Sequence, residues 1–225
     1  MSHRAPFIVL EGPEGAGKSI QTRLLAEHLR QQGWQVHTTR EPGGTPAGDA
    51  IREILLQSDD LHLAPQTEAL LMSASRAQHV HEVVRPLLEQ GVMVISDRYV
   101  DSTYAYQGGG RELSVSALEP IQAFATDGIV PDMRLLLDLP VEIGLNRRHG
   151  DAEQVNRIDR APVTFHQRVR DTYLHLAAAN PSSWDIIDAS AAIDEVAAAI
   201  QRAVARRLAN WPTPADSDRE GASAR

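Results

Sequence analysis

The chain has 225 residues, 42% hydrophobic and 23% charged, which suits a single α/β domain with a sizeable core. Its formal net charge of −8 argues against non-specific nucleic-acid binding, which needs a basic face. Zero cysteines exclude disulfides, a thiol nucleophile and cysteine-ligated zinc, and the apolar run from Pro6 to Leu10 is too short for a signal or membrane segment.

The expectation is therefore a cytoplasmic protein with no nucleic-acid or membrane partner. Strand and helix patterns alternate from end to end, the signature of βαβ units on a parallel sheet. Phe7 to Leu10 reads as a short apolar strand, and Lys18 to Gln31 as an amphipathic helix closed by Gly33. Gln35 to Thr39 is a second strand, followed by the loop Arg40-Glu41-Pro42-Gly43-Gly44-Thr45. Pro46 to Gln57 reads as a helix, and Pro65 to Glu89 as one long helix stopped at Gly91. Val92 to Ile95 is a buried strand leading into Asp97-Arg98-Tyr99; a helix spans about Val115 to Ala125, and the strand Met133 to Leu137 ends at Asp138. Arg147 to Ala161 is polar, arginine-rich and aperiodic, long enough to be a lid. A helix from Val163 to Ala179, a strand at Trp184 to Ile187 and a helix from Ala191 to Leu208 complete a doubly wound, five-stranded parallel sheet flanked by helices. Residues 1–210 are expected to form one domain and 211–225 a disordered tail rich in Pro, Asp, Ser and Gly.

In such a sheet ligands sit at the C-terminal ends of the strands. Glu14, Arg40, Asp97 and Asp138 all fall just past predicted strand ends, so one crevice is expected to gather them. The segment Gly12-Pro13-Glu14-Gly15-Ala16-Gly17-Lys18-Ser19 matches a P-loop, with a strand before it and a helix after it as the motif requires. Its glycines let successive backbone N–H groups turn inward, and the helix N-terminus adds positive potential. Lys18 is the chain's single lysine; the other 21 of the 22 basic residues are arginine. A compact ammonium on a thin stem fits inside a phosphate-wrapping loop, where a wide guanidinium fork fits poorly. Lys18 is expected on the β- and γ-phosphates of a nucleoside triphosphate, and the Ser19 hydroxyl on Mg²⁺. A GTP-reading switch protein would also need an Asn-Lys-x-Asp segment, which a chain with one lysine at Lys18 cannot hold. A small kinase of nucleotides or other metabolites fits better.

Further motifs sharpen this reading. Glu14 in the P-loop, the Arg40 to Thr45 loop, Arg76, Asp97-Arg98-Tyr99 and Tyr104-Ala105-Tyr106-Gln107-Gly108-Gly109-Gly110-Arg111 stand in order along the chain. Pro131-Asp132, and Phe165 to Leu176 with its Arg168-Val169-Arg170 and Tyr173-Leu174 pairs, extend the set. Together, from about Phe7 to Leu208, they resemble the bacterial thymidylate kinase family of the type with its catalytic arginine in the lid. The resemblance implies a P-loop nucleoside monophosphate kinase fold, transfer of the γ-phosphoryl of ATP to dTMP with Mg²⁺, and a homodimer. It implies that Arg98 and Arg52 hold the acceptor phosphate and that Asp97 acts on Mg²⁺. It further implies Arg76 on the thymine edge, Glu14 near the deoxyribose 3′-hydroxyl, Tyr106 beneath the sugar, and Thr103 and Gln107 near the base. The alternatives are a kinase for another nucleoside monophosphate, and a nucleotide-binding protein without phosphotransfer.

Two departures from the family pattern stand out. Met72, one helical turn before Arg76, replaces an aromatic residue that stacks on thymine; Met can still cover a base face. Asn156-Arg157-Ile158-Asp159 stands where the family reads Asp-Arg-x-Glu. The P-loop holds no arginine, so the lid is expected to supply the one on the moving phosphoryl, with Arg157 favoured and Arg147 next. His79 and His81, two apart on a helix, face different sides and read as surface or packing residues.

Overall fold

The computed structural model describes residues 4–56, 61–150, 156–209 and 211. Five parallel strands, β1 (Phe7–Glu11), β2 (Val36–Arg40), β3 (Met93–Asp97), β4 (Met133–Asp138) and β5 (Trp184–Asp188), lie in the order β2-β3-β1-β4-β5. Each agrees with an expected strand within a residue or two. Phe7 pairs with Val94 on one side of β1, and Ile8 with Met133 on the other, so the strand that feeds the P-loop is central. It is buried along its whole length, as a strand covered on both faces must be.

Side chains alternate between the two faces. Ile8, Leu10, Met93, Ile95 and Leu135 pack against Leu25 and Leu29 of α1 (Lys18–Gln31) and Ile200 and Val204 of α9 (Ile193–Leu208). Phe7, Val9 and Val94 face the other way, onto Val80, Val84, Leu88 and Tyr99. Phe7 and Tyr99 meet edge to face with ring centroids 5.0 Å apart, which locks the start of β1 to the segment that follows β3. On that same side, Leu136 packs with Val169 and Tyr173 of α8 (Val163–Ala179).

The helices α2 (Pro46–Leu56), α6 (Val115–Thr126) and α8 lie where the sequence puts them. Gln57, the expected end of α2, is outside the described residues. The helix expected from Pro65 to Glu89 changes pitch: α3 (Pro65–His79) passes through a π-wound turn, Val80–Val84, into α4 (Arg85–Glu89). Across that turn the Arg85 N–H reaches back five residues to the Val80 carbonyl. Pro86 accounts for the change, because it has no N–H to donate and its ring would strike the carbonyl four residues earlier in an α pitch.

Two helical stretches go beyond the helices expected from the sequence. A continuous helical run follows Asp97-Arg98-Tyr99: α5 (Val100–Thr103) leads into a π-wound segment, Tyr104–Gly110. Its three glycines let this run press against α8. A Cβ on Gly109 would collide with Thr172 Oγ1, and one on Gly110 with the Phe165 ring. The second stretch is α7 (Val141–His149), which carries Arg147 and Arg148 on its last turns instead of in a loop. Of the remaining expected lid, 151–155 lie outside the described residues, and Asn156 to Ala161 forms hydrogen-bonded turns. The expected tail beyond Trp211 is also outside them. No helix among the described residues is long and apolar enough to cross a membrane.

Candidate active site

A cavity of about 1070 Å³ opens at the C-terminal ends of β1, β2 and β3. The P-loop forms its floor, wedged against neighbouring backbone. A Cβ on Gly12 would overlap the Leu137 carbonyl oxygen, and one on Gly15 the Gly144 carbonyl oxygen on α7. Gly12 and Gly15 also take positive φ angles of 144° and 72°, a region favouring glycine. The loop therefore rests on β4 and α7, and Glu14 to Ser19 line the cavity.

Lys18 is buried, and its Nζ donates to the carbonyls of Gly12 and Pro13 at 2.9 and 2.8 Å. Two of its three donors thus brace the loop. Burial and the nearby Arg98 pull its pKa down to about 8, against the attraction of Glu14 and Asp97. The Ser19 hydroxyl donates to Asp97 Oδ2 at 2.6 Å, so the two expected metal-side oxygens stand together.

Arg98 sits in the left-handed region, with φ 76°, a conformation costly for a non-glycine residue and kept only where the surroundings enforce it. Its N–H donates to the Leu10 carbonyl, and Ser96 Oγ donates to its own carbonyl. Its guanidinium then reaches across to the P-loop. Nη1 donates to the Gly12 carbonyl, Ser102 Oγ and the Tyr173 hydroxyl at 3.1–3.2 Å. Nη2 donates to Glu14 Oε1 at 2.9 Å and the Tyr106 hydroxyl at 2.8 Å. The Tyr106 hydroxyl donates to Glu14 Oε1 at 2.9 Å, closing a triangle, and the guanidinium lies 4.7 Å from the centre of the Tyr106 ring. Burial would raise the Glu14 pKa, but Arg98, Lys18 and the Tyr106 hydroxyl outweigh it and hold it at about 2.

A second wall of the cavity belongs to α3 and the run after β3. Met72 and Arg76, one turn apart on α3, line the cavity with Thr103 and Gln107. Arg76 is almost wholly buried at 2% exposure and is held on four sides. Its Nε donates to Glu41 Oε2 at 2.7 Å, Nη1 to Thr103 Oγ1 at 2.8 Å and to Gln122 Oε1, and Nη2 to the Tyr99 carbonyl at 2.8 Å. Gln107 Nε2 donates to Glu68 Oε1 at 2.9 Å. Arg52 also lines the cavity and donates to the Pro42 carbonyl at 2.8 Å.

The expected residues do not all converge. Glu14, Arg40 and Asp97 line the cavity, whereas Asp138 does not: it is held by Arg170 through bonds of 2.7 and 2.9 Å. Arg147 and Arg148 line the cavity, as does Arg160. Arg147 donates to the Ala189 carbonyl at 2.8 Å, and Arg148 grips buried Asp159 with both arms at 3.2 and 2.8 Å. Arg157 is turned away from the lining: its Nη2 donates to buried Glu68 at 2.6 Å and its Nε to the Leu55 carbonyl. Asn156 Oδ1 accepts from the N–H of Ile158 at 2.8 Å, so an amide oxygen makes the turn-closing bond that a carboxylate would make there.

Sequence reasoning passed over several residues that hold the site. His79 is fully buried and bridges Thr39 Oγ1 and Glu41 Oε1 at 2.7 and 2.9 Å, while His81 is exposed. Glu41 thus orients Arg76 and is itself held by His79. Glu68 collects Gln107, Arg111 and Arg157 on one carboxylate. Glu11, fully buried at the end of β1, accepts from the segment after β3, and its pKa is pushed up to about 7 by burial first and the charge of Asp101 next. The available signal was position: a carboxylate ending an apolar strand next to a P-loop is costly unless several donors meet it.

The family model for thymidylate kinase matches residues 10–200. A thymidylate kinase of Thermomicrobium roseum is 49% identical over 194 residues, covering 86% of this chain and 91% of the relative. One from Geotalea uraniireducens is 47% identical over 208 residues, covering 90% and 98%. Among solved structures, the thymidylate kinase from Ehrlichia chaffeensis superposes with a TM-score of 0.73 at 28% identity, covering 89% of this chain and 99% of that one. With a P-loop, Arg98 and the Met72 and Arg76 wall around one cavity, and a family model matched over most of its length, the chain belongs to the thymidylate kinase family.

Proposed function

We infer that this protein transfers the γ-phosphoryl of ATP to the 5′-phosphate of dTMP, giving dTDP and ADP. The observation that carries the reading is one cavity that joins the P-loop of Lys18 and Ser19 to the Arg98 clamp and the wall of Met72, Arg76, Thr103 and Gln107. The attacking phosphate oxygen is already anionic near neutral pH, so no general base is needed. Catalysis reduces to in-line positioning and to neutralising charge on the phosphates.

In this reading Gly12 to Ser19 hold the donor phosphates, with Lys18 on the β- and γ-groups. Arg98 and Arg52 hold the acceptor phosphate, Glu14 faces the 3′-hydroxyl region, Tyr106 underlies the sugar, and Met72 and Arg76 receive the base. Mg²⁺ fits the hard oxygens of Ser19 and Asp97, which stand 2.6 Å apart. When bound, it would neutralise charge shared between the donor phosphates. The arginine for the moving phosphoryl is assigned to Arg157, with Arg147 next; Arg157 reaches the phosphates by exchanging Glu68 for them. A group needed only as charge develops is consistent with a resting place outside the cavity.

One catalytic domain, a cytoplasmic setting and a homodimer complete the proposal. Exposed apolar side chains on the packed helices α3 and α6, Leu70 at 55% and Phe124 at 86% exposure, support an interface between copies. An acceptor panel of dTMP, dUMP, UMP, AMP and GMP in a coupled ADP-release assay tests the reading. dTMP is expected to turn over fastest, and faster turnover of UMP or GMP would overturn it.

A further inference from the structure

We propose that Glu11 is a positioning residue for the acceptor clamp: its carboxylate aims the hydroxyls of Ser102 and Tyr173 so that both offer lone pairs to Arg98. The inference rests on the acceptor role given to Arg98 above and extends it to a residue outside the cavity lining.

Four donors converge on this buried carboxylate. Oε1 accepts from the backbone N–H groups of Tyr99 and Ser102 at 2.9 and 3.3 Å. Oε2 accepts from Ser102 Oγ at 2.6 Å and from the Tyr173 hydroxyl at 2.8 Å. The two backbone bonds cap the first turn of the helical run that carries Ser102, Thr103, Tyr106 and Gln107. The two hydroxyl bonds set polarity. Each hydroxyl has a single proton, and an ionised carboxylate can only accept, so both protons point at Glu11. The oxygens of Ser102 and Tyr173, which also lie 2.8 Å from each other, are then free to accept from Arg98 Nη1, 3.2 Å from each.

This arrangement makes the isosteric amide a poor replacement. With its nitrogen toward the hydroxyls, a glutamine side chain would donate to both and turn their protons toward the Arg98 cation. Flipped, it would set N–H against the N–H groups of Tyr99 and Ser102. Neither orientation satisfies all four donors, and a buried mismatch of this kind is relieved by moving the groups that make it. Arg98 and the start of α5 are those groups. The P-loop begins at the next residue, yet its N–H groups make none of these four bonds, so the donor side is expected to be spared.

The test compares E11Q, S102A/Y173F and the triple combination near pH 8, above the Glu11 value of about 7. E11Q is expected to raise KM for dTMP roughly tenfold or more while KM for ATP stays within about threefold. S102A/Y173F alone is expected to raise KM for dTMP in the same selective way. Adding E11Q to it is expected to cost less than about threefold further, because the hydroxyls through which Glu11 acts are gone. Equal losses for both substrates, or the full E11Q penalty in the hydroxyl-free background, would overturn the proposal. Should E11Q fail to fold, an unchanged dTMP KM in S102A/Y173F would overturn it equally. Wild-type turnover of dTMP in the same assay tests the reaction itself, so the two failures are distinguishable; a wild-type protein inactive on dTMP overturns both.

Discussion

Glu14 Oε1 and Arg98 Nη2 lie 2.9 Å apart, joining the P-loop to the segment after β3. One residue stands in the proposed donor half of the cavity and the other in the proposed acceptor half. Because both side chains are largely shielded, at 16% and 14% exposure, the pair is screened less than a surface contact.

The pair predicts a specific acid dependence. The Glu14 carboxyl is held at about 2, below its ordinary 4.5. The unfolded chain therefore takes up a proton as pH falls through 4.5, while the folded chain resists until about 2. Glu14 contributes its full stabilisation above the upper value and loses it progressively toward the lower one, by up to roughly 3 kcal/mol. Urea unfolding of wild type and E14Q at neutral and acidic pH measures this. The stability gap between them is expected to shrink on acidification, and parallel pH slopes would remove the ion pair from the account.

Arg98→Ala is expected to raise KM for dTMP and lower kcat together, because binding and alignment of the acceptor share one contact. Steady-state kinetics that match wild type would take Arg98 out of the site.

For Arg157→Ala the expectation is a loss of roughly tenfold or more in kcat with little effect on dTMP binding. Arg147 and Arg148 already line the cavity, so the same measurement on their alanine variants is the control. A larger kcat loss at either would reassign the role.

Lys18 and the N-terminus are the only amines in the chain. With a pKa near 8, Lys18 is partly neutral in mildly alkaline buffer and open to acylation. On the proposed role, ATP phosphates would favour the charged ammonium and cover it, so ATP is predicted to protect Lys18 while the N-terminus stays reactive. Mass mapping of the acylated sites reads this out, and labelling of Lys18 unaffected by ATP would contradict the phosphate role.

The glycine contacts predict a separation of effects. A Cβ on Gly144 would meet the Glu14 carbonyl and push on the P-loop, so Gly144→Ala is expected to raise KM for ATP. A Cβ on Gly110 would meet the Phe165 ring, so Gly110→Ala is expected to destabilise by about 1–3 kcal/mol and raise KM for dTMP. Thermal melts and the two KM values check both; an exchange of the substrate effects would contradict the assigned halves of the cavity.

Much of this architecture was readable from periodicity. The central strands β1, β3 and β4 carry apolar runs, and α1 and α8 begin and end at the expected residues, because amphipathic spacing and Gly or Pro punctuation agree there. The helical run through Tyr104–Gly110 was not readable, since its glycines answer to α8 packing at Thr172 and Phe165, residues far off in sequence. The cavity's cations and loop were legible because phosphate chemistry demands their types. The carboxylates that orient them were not: Glu11 and Glu68 have no local motif, Glu41 sits in the Arg40 to Thr45 motif without a role of its own there, and all three act through partners 35 to 162 residues away. Arg157 shows the converse limit. Its motif marks it, but its partner in this structure is Glu68.

The most direct test follows both products of one turnover by phosphorus NMR, with ATP, Mg²⁺ and dTMP. The account predicts that ADP and dTDP appear in equal amounts and only when dTMP is present. ADP with inorganic phosphate in place of dTDP, or ADP formation that ignores dTMP, would contradict it.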